Sequence, residues 1–216
     1  MKILAVSDEV VDWIYSPALV KRCGEIDMVV SCGDLPIYYL EFILSTLNVP
    51  AVLVHGNHDS YEVGLHGVIK SEAAGWSDVD RQRIWVESKA GGVSVAGLQG
   101  CIRYRPQENY QYTQHEQFWR AIWLSRHMWL PYKKTGRGVD VLLTHAPPYG
   151  IQDGVDRAHI GFKAFNWLIR QFRPKLLLHG HQHRSYSARA ATETLVGDTW
   201  VLNCHPWRVI DLELTL

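Results

Sequence analysis

Seven side chains able to bind a metal or move a proton follow closely on short runs of aliphatic residues. Ile3–Val6 leads to Asp8, Met28–Val30 to Asp34, and Ala51–Val54 to Asn57 and His58. Val141–Leu143 leads to His145, and Leu176–Leu178 to His181 and His183. Carboxylates, an amide oxygen and imidazoles together form a mixed oxygen and nitrogen donor set. Such a set suits divalent Mn, Fe, Co, Ni or Zn and argues against a thiolate zinc site or an all-oxygen calcium cage. A carboxylate in it can bridge two ions. A pair of ions about 3.5–4 Å apart clamps the attacking and leaving oxygens of a phosphoryl transfer. The glycines before Asp34, Asn57 and His181 allow sharp turns that aim these side chains into one cleft.

Runs so short, rich in Val, Ile and Leu and closed by turn residues, read as buried strands rather than helices. Five strands thus deliver polar groups just past their carboxyl ends, where open α/β sheets bind ligands. Helices fit between them. Ser16 caps a short helix opened by Pro17 and closed by Gly24. A second spans Pro36 to Leu47. Thr113-Gln114-His115-Glu116 is a capping box opening a third, which runs to about Leu130 and ends at Pro131. A fourth spans Phe162 to Phe172 and stops before Pro174. Ile84–Val86 and Val93–Leu98 form a hairpin around Gly91-Gly92. Ser185–Ala190, Thr199–Asn203 and Arg208–Leu214 read as an antiparallel set. No linker, repeat or low-complexity tract interrupts the chain, so residues 1–216 are expected to form one domain, with a helical, aromatic-rich insertion at about 101–138.

The ordered blocks Ser7-Asp8, Gly33-Asp34, Gly56-Asn57-His58-Asp59, Thr144-His145 and Gly180-His181-Gln182-His183 resemble the motif series of calcineurin-like metallophosphoesterases. The resemblance implies an α/β fold, a four-layer α/β/β/α sandwich of two mixed sheets flanked by helices. It further implies two divalent ions, Mn²⁺ foremost, with Fe, Ni, Co, Zn or Mg as alternatives. Asp34 would bridge them. Asp8 and His183 would hold the first; Asn57, His145 and His181 would hold the second. His58 would be the catalytic histidine, assisting the leaving group, with Asp59 behind it fixing its tautomer. The implied activity is hydrolysis of a phosphodiester or phosphomonoester, a nucleotide-like small molecule being favoured, by metal-bound hydroxide. The family's first block usually reads Asp-x-His, but position 10 is Val10, so the first site lacks one ligand. Glu9 turning inward, an added water, or weak binding would each answer that gap.

Outside these blocks, Arg103 is expected to reach the cleft and bind a substrate phosphate, with Tyr104 or Tyr112 stacking on a base. His159 is expected to contact substrate or a ligand. His55 and His179 read as packed, hydrogen-bonded neighbours of the motifs, and His66, His115, His127 and His205 receive no role. Residues 101–138 interleave cations with aromatics, which suggests a nucleic-acid platform. The preferred reading is an amphipathic helix that packs Trp119, Ile122, Trp123 and Trp129 inward and leaves its arginines solvated.

Composition narrows the classes further. The 216 residues are 47% hydrophobic and 20% charged, with Lys plus Arg and Asp plus Glu both 22, so no basic field points to nucleic acid or a membrane surface. No apolar run approaches the roughly 20 residues that span a bilayer, and the N-terminus does not read as a signal peptide. Cys23, Cys32, Cys101 and Cys204 are scattered, as expected of reduced thiols in a cytoplasmic protein. The expected partner is a small phosphoester. A weakened binding scaffold and a single-strand nuclease are the rival readings.

Overall fold

The computed structural model describes residues 1–59, 74–106, 108–183 and 191–213, and the backbone alone of 62–63 and 69–70. One sheet contains β1 (Lys2–Val6), β2 (Met28–Ser31), β3 (Ala51–Leu53), β6 (Ser77–Asp78) and β15 (Trp207–Asp211), in the order β15-β1-β2-β3-β6. Its strands run parallel except β15, which is antiparallel to β1. The second contains β7 (Arg83–Ser88), β8 (Gly91–Leu98), β11 (Val141–Thr144), β12 (Leu176–His179), β13 (Glu193–Val196) and β14 (Thr199–Asn203). Its order is β13-β14-β12-β11-β8-β7, parallel at the centre and antiparallel at both edges. Among the described residues there are also two short pairs: β4 (Glu62–Val63) with β5 (Ile69–Lys70), and β9 (Cys101–Ile102) with β10 (Gln111–Tyr112).

Strand alternation divides the apolar residues among three layers of packing. Ile3, Ala5, Met28 and Val30 meet Val93, Val95, Val141, Leu143 and Leu178 between the sheets. The opposite face of the first sheet presents Leu4, Val6 and Val29 to α1 (Ala18–Cys23) and α2 (Ile37–Leu47), through Leu19, Tyr39, Leu40 and Ile43. The outer face of the second sheet, including Ala96, Leu98, Leu142 and Leu177, receives α3 (Gln114–Ser125) and α5 (Lys163–Phe172) through Ala121, Leu124, Phe165 and Leu168. Helix, sheet, sheet, helix is the four-layer architecture expected. Strands covered on both faces must be apolar throughout, which is why they stand out as continuous aliphatic runs.

Several local expectations change. Pro17, not Ser16, takes the cap position of α1, while the Ser16 hydroxyl accepts from the Ala18 N–H at 3.2 Å. The third helix breaks after Ser125, and Pro131 lies inside α4 (Trp129–Thr135). As the third helical residue it has no carbonyl four positions back within the helix, so its missing N–H costs nothing there. Trp119 and Trp123 are exposed, because Gln117, Ala121 and Leu124 occupy the inward face of α3, and Trp129, which opens α4, is exposed as well. Arg120 is not solvated but bonds Asp80 at 2.6 Å, and Arg126 lies 3.6 Å over the Trp123 ring. The hairpin turn falls before Gly91, which opens β8. At the C-terminus, β14 pairs with β12 and β13, while β15 crosses to the other sheet beside β1. Ser185–Ala190 and His66 lie outside the described residues. Among the described residues no helix is long and apolar enough to cross a membrane.

Candidate metal centre

The parallel strands of both sheets end at one edge of the sandwich, and the candidate ligands project from the loops there. Asp8 follows β1, Asp34 follows β2 and Asn57 follows β3; His145 follows β11, and His181 with His183 follows β12. Asp8, Asp34 and His181 have φ of 65°, 58° and 64°, a left-handed backbone uncommon for residues other than glycine. That strain concentrates where three polar side chains must turn into one space. Of the preceding glycines, only Gly33 has positive φ, at 98°. Gly56 and Gly180 act by leaving room: a Cβ on Gly56 would collide with Asp34, and one on Gly180 with Ser7 and Asp8.

The ligating atoms of Asp8, Asp34, His145 and His181 all lie within 4.8 Å of one another. His145 is fully buried, and its Nδ1–H donates to the carbonyl of Cys32 at 2.7 Å. Its Nε2 therefore faces the centre, 3.1 Å from Oδ1 of Asn57 and 3.3 Å from Oδ2 of Asp34. His181 Nε2–H donates to the carbonyl of Ala158 at 2.9 Å, which turns Nδ1 inward as a lone pair. Asp8 is anchored by the His181 backbone N–H, 3.1 and 3.0 Å from its two oxygens, and lies 3.5 Å from His183 Nε2. Asp34 accepts from the His58 backbone N–H at 2.7 Å.

Electrostatics give the test of fit. Asp8 and Asp34 are only 2% and 6% exposed, yet they lie side by side. Burial opposes their ionisation, but neighbouring imidazoles outweigh it and hold both below the usual carboxylate range. Burial likewise opposes a charge on His145, yet Asp34 and Asp8 raise it to about 9. A proton on His145 Nε2 thus occupies the point where the oxygens of Asp34 and Asn57 converge, the place of a cation. Burial, together with the charge of His145, keeps His181 neutral, the form that ligates. The donor set fits one or more divalent ions.

The remaining expected residues divide. His183, 38% exposed, stacks on His205 with ring centroids 4.3 Å apart. His58 is exposed at the rim. Asp59 does not act on His58: its oxygens accept from Gly56 N at 2.8 Å and Leu35 N at 3.2 Å, and Oδ2 lies 3.5 Å from His55. The carboxylate ties together the loops after β2 and β3. Arg103 does not reach the cleft either, because it donates to the carbonyl of Gln111 at 3.0 Å and pairs with Glu116 at 3.0 Å. His159 packs its ring 5.0 Å from that of His181 while bonding Asp156. Val10 packs with Val11 and Trp13 against the outer apolar cluster, and Glu9 is drawn to within 3.7 Å of His205 rather than inward. His179 bonds Gln152 at 2.9 Å and His55 stacks on Tyr110, both packed as expected. The parts played by two neighbours were missed. Tyr104 accepts from Nδ2 of Asn57 at 3.2 Å, and His205 sits against His183. His205 carried a weaker signal, since it closely follows β14, whose centre is the apolar run Trp200-Val201-Leu202.

Comparison with known proteins bears on the family and the fold. An uncharacterized protein of Haemophilus influenzae is 26% identical over 154 residues, 63% of each chain, so the chain spans less than two thirds of that relative's length. The crystal structure of TT1561 of Thermus thermophilus shares the fold, with a TM-score of 0.63 at 17% identity over 94% of this chain and 88% of that one. The family described as calcineurin-like phosphoesterase matches residues 1–185, the stretch from β1 through the His181 loop. With most of its length matched and its fold shared, the chain belongs to the calcineurin-like phosphoesterase family.

Proposed function

We propose that this chain is a hydrolase cleaving a phosphodiester or phosphomonoester of a small, nucleotide-like molecule. The observation that carries the reading is the convergence of Asp34 Oδ2, Asn57 Oδ1 and His145 Nε2, beside Asp8 and His181, in a nearly dry pocket. Asp34, Asn57, His145 and His181 would hold one divalent ion, and Asp34, Asp8 and His183 a second, Mn²⁺ first among the candidates. When bound, such ions supply Lewis acidity toward phosphoryl oxygens and make water acidic enough to attack near neutral pH. The protein supplies the rest. The carbonyls of Cys32 and Ala158 take the outward N–H groups of His145 and His181, so that Nε2 of the first and Nδ1 of the second face inward, and the proton on His145 would be given up on ion binding. Exposed at the rim, the His58 imidazole is free to approach a substrate and give a proton to its departing oxygen.

Hydrolysis of p-nitrophenyl phosphate and bis-p-nitrophenyl phosphate with added Mn²⁺ tests the proposal. His58→Ala should lower kcat at least about a hundredfold while Mn²⁺ still binds. Activity unchanged by that substitution would remove His58 from the mechanism. The packing of a partly buried Val10 among apolar neighbours, where a ligand would be needed, favours one rival, a scaffold with a weakened first site. A wild-type chain that binds Mn²⁺ but cleaves neither ester would support the scaffold.

A further inference from the structure

Asparagine ligates a metal through one end of its amide only. Oδ1 carries lone pairs, Nδ2 carries two N–H donors, and the two ends are nearly the same size. At Asn57, 6% exposed, the oxygen faces Nε2 of His145 at 3.1 Å. That orientation leaves Nδ2 needing an acceptor away from the centre. The phenol oxygen of Tyr104 provides it at 3.2 Å. Without that acceptor the amide would be drawn the other way, since the Asp34 carboxylate stands on the opposite side, 3.3 Å from the same His145 nitrogen.

Tyr104 is held for this contact by the chain around it. It lies in the excursion between β9 and β10, and Oε1 of the buried Gln111 accepts from the backbone N–H groups of both Tyr104 and Arg105 at 3.1 Å. Its ring packs against the apolar cluster outside the second sheet. The phenol therefore approaches Asn57 from a fixed backbone, and from the second sheet's side onto a loop of the first.

We propose that Tyr104 is a positioning residue of the centre: by accepting from Nδ2 of Asn57 it keeps Oδ1 turned toward His145 and Asp34, the side on which a divalent cation is held. The inference rests on the metal-centre reading above. Its energetic content is the donor that Tyr104 satisfies while Asn57 stays in its ligating orientation, against the competing pull of the Asp34 carboxylate.

A double-mutant cycle on Mn²⁺ affinity, read by isothermal titration calorimetry, tests this without recourse to activity. Tyr104→Phe should weaken Mn²⁺ binding about tenfold or more, the usual cost of losing a partner that orients a ligand. On the Asn57→Ala background it should change the affinity by less than about twofold, because no amide remains for Tyr104 to orient. Thermal melts of the metal-free variants establish that each is folded. A Tyr104→Phe effect below about twofold on the native background, or an equal loss on both backgrounds, would overturn the role of Tyr104 while leaving the centre intact. A wild-type chain that takes up no Mn²⁺ would overturn the centre itself, and the inference with it.

Discussion

Arg103 shows how a side chain chosen for its chemistry is claimed by its neighbours. Its guanidinium pairs with Glu116 and bonds the Gln111 carbonyl, both sides of the ion pair being more than a third exposed. Arg103→Ala should therefore leave KM for a phosphoester within about twofold and cost at most about 1 kcal/mol of stability, since exposed pairs contribute little. A severalfold rise in KM at unchanged kcat would return Arg103 to the substrate. The metal-ligating types at Asp8, Asp34, Asn57, His145, His181 and His183 were legible because each closely follows an aliphatic strand. What each donor atom faces was not. The left-handed backbones of Asp8, Asp34 and His181, the ring orientations set by Cys32 and Ala158, and the reach of Tyr104 to Asn57 all depend on distant contacts. Asp59 was misread for the same reason, its oxygens going to backbone N–H groups of two loops.

Among the elements, α3 is the clearest case of local specification. The Thr113 hydroxyl accepts from the Glu116 N–H at 3.1 Å, and the Glu116 carboxylate accepts from the Thr113 N–H at 2.7 Å. Thr113→Ala should lower stability by about 1 kcal/mol in urea unfolding; no change would show that the cap is dispensable. The same Glu116 holds Arg103, next to Tyr104, so the helix start also steadies the excursion that reaches the centre. Strands buried on both faces and helices with capping signals were readable from the sequence. The break after Ser125 and the crossing of β15 to the first sheet were not, because proline in a first turn is harmless and strand partners are chosen over long range. The exposed Trp119 and Trp123 were misplaced by counting aromatics as core, although Gln117, Ala121 and Leu124 define the inward face.

Taken whole, the sandwich brings two sheets together so that their strand ends share one pocket. Asp8, Asp34 and Asn57 come from the first sheet and His145 and His181 from the second, so that of the four clustered donors the carboxylates belong to one sheet and the imidazoles to the other. A cation there would be held by donors from both sheets and would offset two buried carboxylates. Family membership and fold agree with such a centre; the ions themselves are the decisive matter. The most direct test is the metal content of the chain, purified without chelator, equilibrated with Mn²⁺, gel-filtered and measured by plasma mass spectrometry, beside Asp34→Asn. The account predicts at least one tightly held ion per wild-type chain and loss of most of it in the variant. A wild-type chain that retains no ion, or a variant that retains as much as the wild type, would contradict it.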